Sequence, residues 1–261
     1  MILFNSDLDN TLIYSYKREI NEEKCCVEIY QKREVSFMSN TSIDLLHKLC
    51  QRICFVPTTT RTIEQYQRIN LGIGIPEYAL VCNGGILLVN GVIDPTWYEE
   101  SLVLIKECQS ELQHSIELLK KDPNCSFEIR FIEDLFVFTK SDNPDITIEY
   151  LSGELNLTLV DIFHNGTKVY VMPQKLTKGN AILRLKDKLM ANTIIAAGDS
   201  EFDISMLNVA DIALAPKQLM ANIYMKYNNS KNANIIVHEG EELFSNVILK
   251  YIMQYISKNE M

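Results

Sequence analysis

Two short acidic runs, each directly behind an apolar stretch, limit what this chain can fold into more than any other feature. Asp7-Leu8-Asp9-Asn10-Thr11-Leu12 follows the run 1–4, and Gly198-Asp199-Ser200-Glu201-Phe202-Asp203 follows the run 193–197. An unbroken apolar stretch of that length reads as a strand buried on both faces. In open parallel α/β sheets, the loop at the carboxyl end of such a strand is where ligands bind. Residues two apart on an extended segment point the same way, so Asp7 and Asp9 can converge on one ion or one substrate group. Their mutual repulsion raises one of the two pKa values unless a cation lies between them. Taken alone, the pair is equally readable as a turn cap, because Asp is common in loops for local hydrogen bonding.

The rest of the chain supplies the sheet. A helix at 42–51, opened by Thr41-Ser42-Ile43-Asp44, feeds the strand 53–56, which ends at Pro57-Thr58-Thr59-Thr60-Arg61. A helix at 62–69 and a strand at 79–82 follow, and the strand ends at Asn83-Gly84-Gly85. The same alternation returns with helix 178–190, strand 193–197, helix 202–208, strand 212–215, helix 218–227, strand 235–237 and an amphipathic helix at 241–256. Alternating βα units predict an α/β fold with a doubly wound, mostly parallel core sheet. Between 86 and 167 the texture differs: a hairpin across Asn90-Gly91, a long amphipathic helix at 98–121, strands at 127–132 and 135–139, a short helix at 146–151, and a hairpin across Asn165-Gly166. We therefore expect a core domain at 1–85 and 168–261 and an inserted α+β module at 86–167. A separate hairpin, 25–30 with 35–38, follows the first acidic loop.

Composition narrows the partners. A formal net charge of −9 argues against nucleic acid, whose binding rests on Lys and Arg neutralising phosphates. An acidic protein acting on anionic substrates must bring cations to its site, as lysines or as a bound metal. The seven cysteines include no Cys-x-x-Cys pair, which suits reduced thiols. No apolar run approaches the ~20 residues of a spanning helix and no charged leader precedes the first strand, so we expect a cytoplasmic protein with no membrane partner. The four histidines have no ligand spacing.

In chain order, Asp7-Leu8-Asp9, Thr59-Thr60-Arg61, Lys178-Gly179 and the loop from Gly198 to Asp203 resemble the four motifs of the haloacid dehalogenase-like (HAD) phosphohydrolase superfamily. The resemblance spans nearly the whole chain. It implies a Rossmann-like core sheet, a hairpin flap after the first motif, and an insertion between the second and third motifs that is a C2-type cap. Asn83-Gly84-Gly85-Ile86 followed by a hairpin looks like the entry to such a cap in the Cof-type and sucrose-phosphatase-type branch.

The resemblance also assigns roles. Asp7 is the nucleophile, and Asp9 is the general acid and base, with a pKa raised by burial and by like charges. Thr59 binds a phosphoryl oxygen, with Thr58 as the competing hydroxyl, and Lys178 balances phosphoryl and carboxylate charge. Mg²⁺ is held by Asp7, the backbone carbonyl of Asp9 and Asp199, with Asp203 orienting a metal-bound water. Thr60, Arg61, Asn83 and Gly84 bind substrate, and Arg130, Lys168 and Tyr170 on the cap contact the leaving group. Two departures stand out: Thr60 replaces the common Gly, and Phe202 replaces the Asn of many relatives. The implied function is a Mg²⁺-dependent phosphatase of a small phosphorylated metabolite, working through an aspartyl-phosphate. A phosphomutase resembling phosphomannomutase and a non-catalytic binding protein are the alternatives.

Overall fold

The computed structural model describes residues 1–219 and 235–259. The chain divides into two compact units, one of Met1–Ile93 with Lys178–Met261 and one of Asp94–Thr177.

The first unit opens with β1 (Ile2–Ser6), β2 (Tyr14–Ser15), β3 (Lys24–Tyr30) and β4 (Arg33–Ser39). Strands β3 and β4 form the hairpin expected after the first acidic loop, and β2 pairs with β4. Gln31 and Lys32 at its tip both have positive φ, 49° and 62°, as a two-residue primed turn requires. Helix α1 (Asn40–Cys50) is capped by Ser39, whose hydroxyl accepts from the Ser42 amide, rather than by Thr41. Elements β5 (Cys54–Pro57), α2 (Ile63–Gln67), β6 (Tyr78–Val81), β7 (Ile86–Val89) and β8 (Val92–Ile93) complete this stretch. Because β7 pairs antiparallel with β6, the β7–β8 hairpin belongs to the first unit. The division between units accordingly falls after Ile93 and not after Gly85. The glycine turn at 83–85 reverses the chain without leaving the unit.

The second unit holds α3 (Pro95–Leu104), α4 (Gln109–Leu119), β9 (Arg130–Ile132), β10 (Phe136–Lys140), α5 (Pro144–Glu154), β11 (Val160–Asn165) and β12 (Lys168–Pro173). Its sheet is antiparallel in the order β11-β12-β10-β9. Since β12 pairs with both β10 and β11, residues 168–177 lie in this unit and not in the core expected from 168 onward. The single helix expected at 98–121 is two, separated by a 3-10 turn at Lys106–Cys108. Buried Trp97, Ser101, Ile105, Cys108, Leu112 and Ser115 continue one buried stripe at helical spacing across that break, so periodicity alone gave no sign of it.

The chain returns to the first unit with α6 (Lys178–Leu189), β13 (Thr193–Ala197), α7 (Ile204–Val209), β14 (Ile212–Pro216), β15 (Ile235–His238) and α8 (Phe244–Asn259). The helix expected at 218–227 falls almost entirely outside the described residues. The core sheet is parallel throughout, in the order β15-β14-β13-β1-β5. Leu3, Phe4, Val56, Ile194, Ile195 and Leu214 are buried along it, as strands covered on both faces require. Strand β1 lies between β13 and β5, with the order running outward on either side, which is the switch point where ligand sites of doubly wound sheets form. Ser6 is level with Pro57 on one side and Ala197 on the other, so Asp7, Thr58 and Gly198 leave the sheet together. Among the described residues no helix is long and apolar enough to cross a membrane.

Candidate active site

Asp7 is the first residue beyond β1, and its amide still donates to the Ala197 carbonyl at 2.9 Å, which keeps the loop tied to β13. Its carboxylate is buried and meets Lys178, the first residue of α6. The Lys178 Nζ lies 2.6 Å from Asp7 Oδ1 and 2.6 Å from Asp203 Oδ1, with 1% of the side chain exposed. An ammonium that deep survives only when paired. Burial works to discharge it, but the Asp203 and Asp7 charges and hydrogen bonds prevail and hold its pKa above the usual lysine value.

Asp203 uses both oxygens structurally. Its Oδ2 accepts from the Asp199 amide at 3.0 Å, the Ser200 amide at 2.9 Å and the Ser200 hydroxyl at 2.8 Å. Asp199 Oδ1 accepts from Thr11 Oγ1 at 3.1 Å, a bond between the two acidic loops that sequence reading missed. Carboxylate oxygens of Asp7, Asp199 and Asp203 all lie within 4.8 Å of one another. Burial pushes Asp7 well above the carboxylate range; Lys178 opposes this, while Asp203, Asp199 and Asp9 add to it. Burial and then the Asp203 charge push Asp199 up to about 7. Three acids share one ammonium, and all the donors are hard oxygens. The cluster therefore fits a small divalent cation such as Mg²⁺, with Asp7 and Asp199 as the acids that would hold it. Asp203, already saturated, would orient the shell around it.

Two glycines make this packing possible. A Cβ on Gly198 would overlap Asp203, and one on Gly179 would overlap the Ser205 carbonyl. Gly179 also donates its amide to Ser205 Oγ at 3.1 Å, seating α6 against α7 with Lys178 turned inward. The signal for both was available, since Lys178-Gly179 and Gly198-Asp199 each set a glycine beside a charged residue, where a close backbone approach calls for one.

The second motif follows β5. Thr58 is tied into the sheet: its Oγ1 accepts from Asn5 Nδ2 and donates to the Val56 carbonyl, both at 3.1 Å. Thr59 Oγ1 accepts from the Arg61 amide at 3.2 Å, leaving its hydroxyl proton to donate, whereas that of Thr58 is taken by the Val56 carbonyl. Asn83 and Gly84 sit in a 3-10 turn just after β6, where the buried Asn83 donates its amide to the Thr59 carbonyl at 3.0 Å. Thr60 is half-buried. Phe202 occupies the middle of the 3-10 turn Glu201–Asp203.

Asp9 and Arg61 stand differently from the expectation. Arg61 grips Asp9 through both carboxylate oxygens, Nε to Oδ2 at 2.7 Å and Nη2 to Oδ1 at 2.8 Å. The Asp9 side chain is 51% exposed, so the burial expected to hold a proton on it is absent in this arrangement. Arg61 gives its remaining donors to Glu28 of β3, a residue that sequence reading did not single out, and to the Gln65 carbonyl, 3.3 Å from Nη1. In the second unit, Arg130 is exposed on β9 with Nε 2.9 Å from Glu128 and its guanidinium over the Phe127 ring. Lys168 is exposed at the start of β12, and the Tyr170 ring lies 5.2 Å from Phe138 and 5.7 Å from Phe163.

Comparison with known proteins places these features. The family model of haloacid dehalogenase-like hydrolases matches residues 92–226. A phosphoglycolate phosphatase from Sulfurisphaera tokodaii is 24% identical over 187 residues, 69% of this chain and 73% of the relative. The sucrose-phosphatase from Synechocystis, solved with sucrose and phosphate, superposes with a TM-score of 0.63 at 16% identity, covering 98% of this chain and 97% of that one. A HAD subclass IIB sugar phosphatase gives a TM-score of 0.61 at 13% identity, covering 98% and 99%. At those identities the two structures share the fold. With the family match extending over more than half of its length, this chain belongs to the haloacid dehalogenase-like hydrolases.

Proposed function

We propose that the protein is a Mg²⁺-dependent phosphatase that hydrolyses a small phosphorylated metabolite through an aspartyl-phosphate on Asp7. The observation that carries this reading is the buried Lys178 ammonium held 2.6 Å from both Asp7 and Asp203, beside Asp199, at the carboxyl ends of β1 and β13. Three acids around one buried lysine leave an excess of negative charge, which is costly unless a further cation joins the site, and a cation beside a lysine is what a phosphoryl group needs.

Phosphate monoester hydrolysis is among the slowest uncatalysed reactions, with enzymic accelerations up to ~10²¹-fold. The site must supply a nucleophile and offset charge on the phosphoryl oxygens. Asp7 Oδ1 is engaged by Lys178, so its other oxygen is the one to attack phosphorus. The Asp7 oxygen–phosphorus bond forms while the ester oxygen–phosphorus bond breaks, and the leaving oxygen takes a proton from Asp9. Water then opens the acyl phosphate, giving its proton to Asp9 and restoring the Asp7 carboxylate. To serve at either stage, Asp9 must release Arg61. Thr59 Oγ1 and Lys178 Nζ offset charge on the phosphoryl oxygens. Mg²⁺, held by Asp7, Asp199 and the Asp9 carbonyl, would supply positive charge that keeps Asp7 ionised at working pH.

The second unit is read as the C2-type cap, with Arg130, Lys168 and Tyr170 as the residues that discriminate substrates. Thr60, Arg61, Asn83 and Gly84 are read as shaping the phosphate side. The relatives named above act on phosphoglycolate, sucrose phosphate or sugar phosphates by their names, which supports a small phosphate monoester as the substrate class. The test is phosphate release from a panel of sugar phosphates, nucleotides and phosphorylated acids with Mg²⁺, comparing wild type with Asp7→Asn. Release by wild type alone is expected. Equal release by the variant, or none by either protein, sinks the phosphatase assignment, and phosphate movement between positions of a sugar bisphosphate without release would make it a mutase.

A further inference from the structure

We propose that Glu28 is a positioning residue that aims the Arg61 guanidinium at Asp9, so that the seating of the β3–β4 hairpin and the orientation of the Asp9 carboxylate are set together. The inference rests on the phosphatase reading, in which Asp9 must reach the leaving oxygen.

Glu28 is on a strand whose sequence, Lys24-Cys25-Cys26-Val27-Glu28-Ile29-Tyr30, gives no reason to turn a carboxylate inward. The backbone supplies the reason: the β3–β4 register shifts on both sides of Glu28, between Cys26 and Glu28 and again between Glu28 and Ile29. An irregularity of this kind re-aims a side chain. The carboxylate ends up 3% exposed with donors from three residues around it. Arg61 reaches it at 2.9 Å through Nη1 and 3.0 Å through Nη2, Arg68 at 3.2 Å through Nε, and Ser36 Oγ at 2.7 Å.

Arg61 is therefore clamped at both edges of its planar fork, by Asp9 at one and Glu28 at the other. A guanidinium is rigid, so a carboxylate that fixes one edge also fixes where the other edge points. Glu28 lies between the guanidiniums of Arg61 and Arg68, with Asp9 on the far side of Arg61 and the exposed Glu64 3.6 Å from Arg68. The hairpin is stitched to the segment after α2 by a β-bridge between Glu28 and Ile69, by the Asn70 amide on the Val27 carbonyl at 2.8 Å, and by Arg68 stacked 4.5 Å over Tyr30. Motion of the hairpin must move Glu28, and with it the plane that holds Asp9. Because Arg61 divides its charge between two acids, its hold on Asp9 is looser than that of an exclusive pair. Removing the Glu28 charge commits Arg61 to Asp9 and withdraws Asp9 from the leaving group.

General acid–base assistance contributes on the order of 10²–10⁴-fold, and it matters most for a basic leaving group. The experiment compares kcat/KM for an alkyl phosphate and for p-nitrophenyl phosphate, with Mg²⁺, in wild type, Glu28→Gln and Ser36→Ala. We expect Glu28→Gln to lower the alkyl-to-aryl ratio at least about tenfold through kcat, with KM little changed. Ser36→Ala, which keeps every charge and loosens only the Glu28 carboxylate, should shift the ratio in the same direction by a smaller factor, and it decides the matter if Glu28→Gln does not fold. Parallel loss on both substrates, or no loss on either, would overturn the role of Glu28 and leave the phosphatase reading intact. A wild type inactive toward both substrates overturns the phosphatase reading, and this inference with it.

Discussion

Gly198 lies against Asp203 so closely that a Cβ built on it would overlap the aspartate side chain, with Oδ2 at 2.8 Å. That carboxylate collects the Asp199 and Ser200 amides and the Ser200 hydroxyl on one oxygen and Lys178 on the other. The end of β13 and the acidic loop are thus packed at backbone distance, and the Lys178 ammonium depends on that packing for one of its two anions.

Gly198→Ala should push Asp203 away and weaken its hold on Lys178. Overpacking of this kind costs about 1–3 kcal/mol. We expect a lower thermal midpoint and a fall in kcat larger than any rise in KM, since the displaced group sits beside Asp7, the proposed nucleophile. A variant with unchanged midpoint and turnover would show that the loop relaxes without cost.

Lys178→Met leaves Asp7 and Asp203 facing each other without a cation in a buried site. Removing one partner of a buried ionic cluster costs about 3–5 kcal/mol. The deficit should be smaller at pH 5 than at pH 8, because two acids freed of the ammonium can share a proton at lower pH. Denaturant unfolding at the two pH values measures it, and a pH-independent deficit would mean that packing rather than charge is lost.

Much of this arrangement was legible in the residues. Strands β1, β5 and β13 are short apolar runs that stop at polar loops, and such runs have one place to go in a doubly wound sheet. The motif spacing marked Asp7, Thr59, Lys178, Asp199 and Asp203, and the structure brings Asp7, Lys178, Asp199 and Asp203 within touching distance. What escaped depended on backbone irregularity or on tertiary choice. Glu28 turns inward only because the register shifts beside it, and no alternation pattern encodes that. Ser39, Thr41 and Ser42 offer similar caps for α1, and the choice of Ser39 goes with its hydroxyl bond to Asn246 of α8, 207 residues away. The unit boundaries escaped because strand pairing, not turn composition, assigns β7, β8 and β12.

The proposed Mg²⁺ site should be visible in stability, independently of any substrate. In the metal-free protein Asp199 titrates at about 7, while its unfolded counterpart titrates near 3.8. A carboxyl whose folded pKa is raised destabilises the fold as pH climbs from the unfolded value to the folded one and adds nothing further above it. Mg²⁺ competes with those protons, so its stabilisation should be larger at pH 8 than at pH 5. At a concentration of 100 times Kd it is worth about 2.7 kcal/mol. Thermal midpoints with Mg²⁺ and with EDTA at both pH values test this, with Asp199→Asn as the variant that should lose the response. Equal Mg²⁺ shifts at the two pH values would place the ion elsewhere.

The opposite sign is expected at Glu28. Burial works against its charge, but hydrogen bonds from Arg61 and Ser36, with Arg68 behind them, outweigh burial and hold its pKa below 4.5. A depressed carboxylate contributes stability that is fully present above the unfolded value and is lost as pH falls through the folded one. Wild type should therefore exceed Glu28→Gln most clearly near pH 7, by about 1–3 kcal/mol, the usual cost of losing a charged hydrogen-bond partner in a buried site. The gap should narrow below pH 4.5 as the wild-type carboxylate gains its proton and comes to resemble the amide. Because the pair is buried, 0.5 M salt should change this gap little, whereas an exposed pair such as Lys120 with Glu117 would be screened. Urea titrations of the two proteins at pH 7 and pH 4, with and without salt, measure all three quantities. A gap that stays constant with pH would mean that Glu28 acts through shape alone, and that the hairpin is held by Tyr30 and the Val27 carbonyl rather than by the shared arginine.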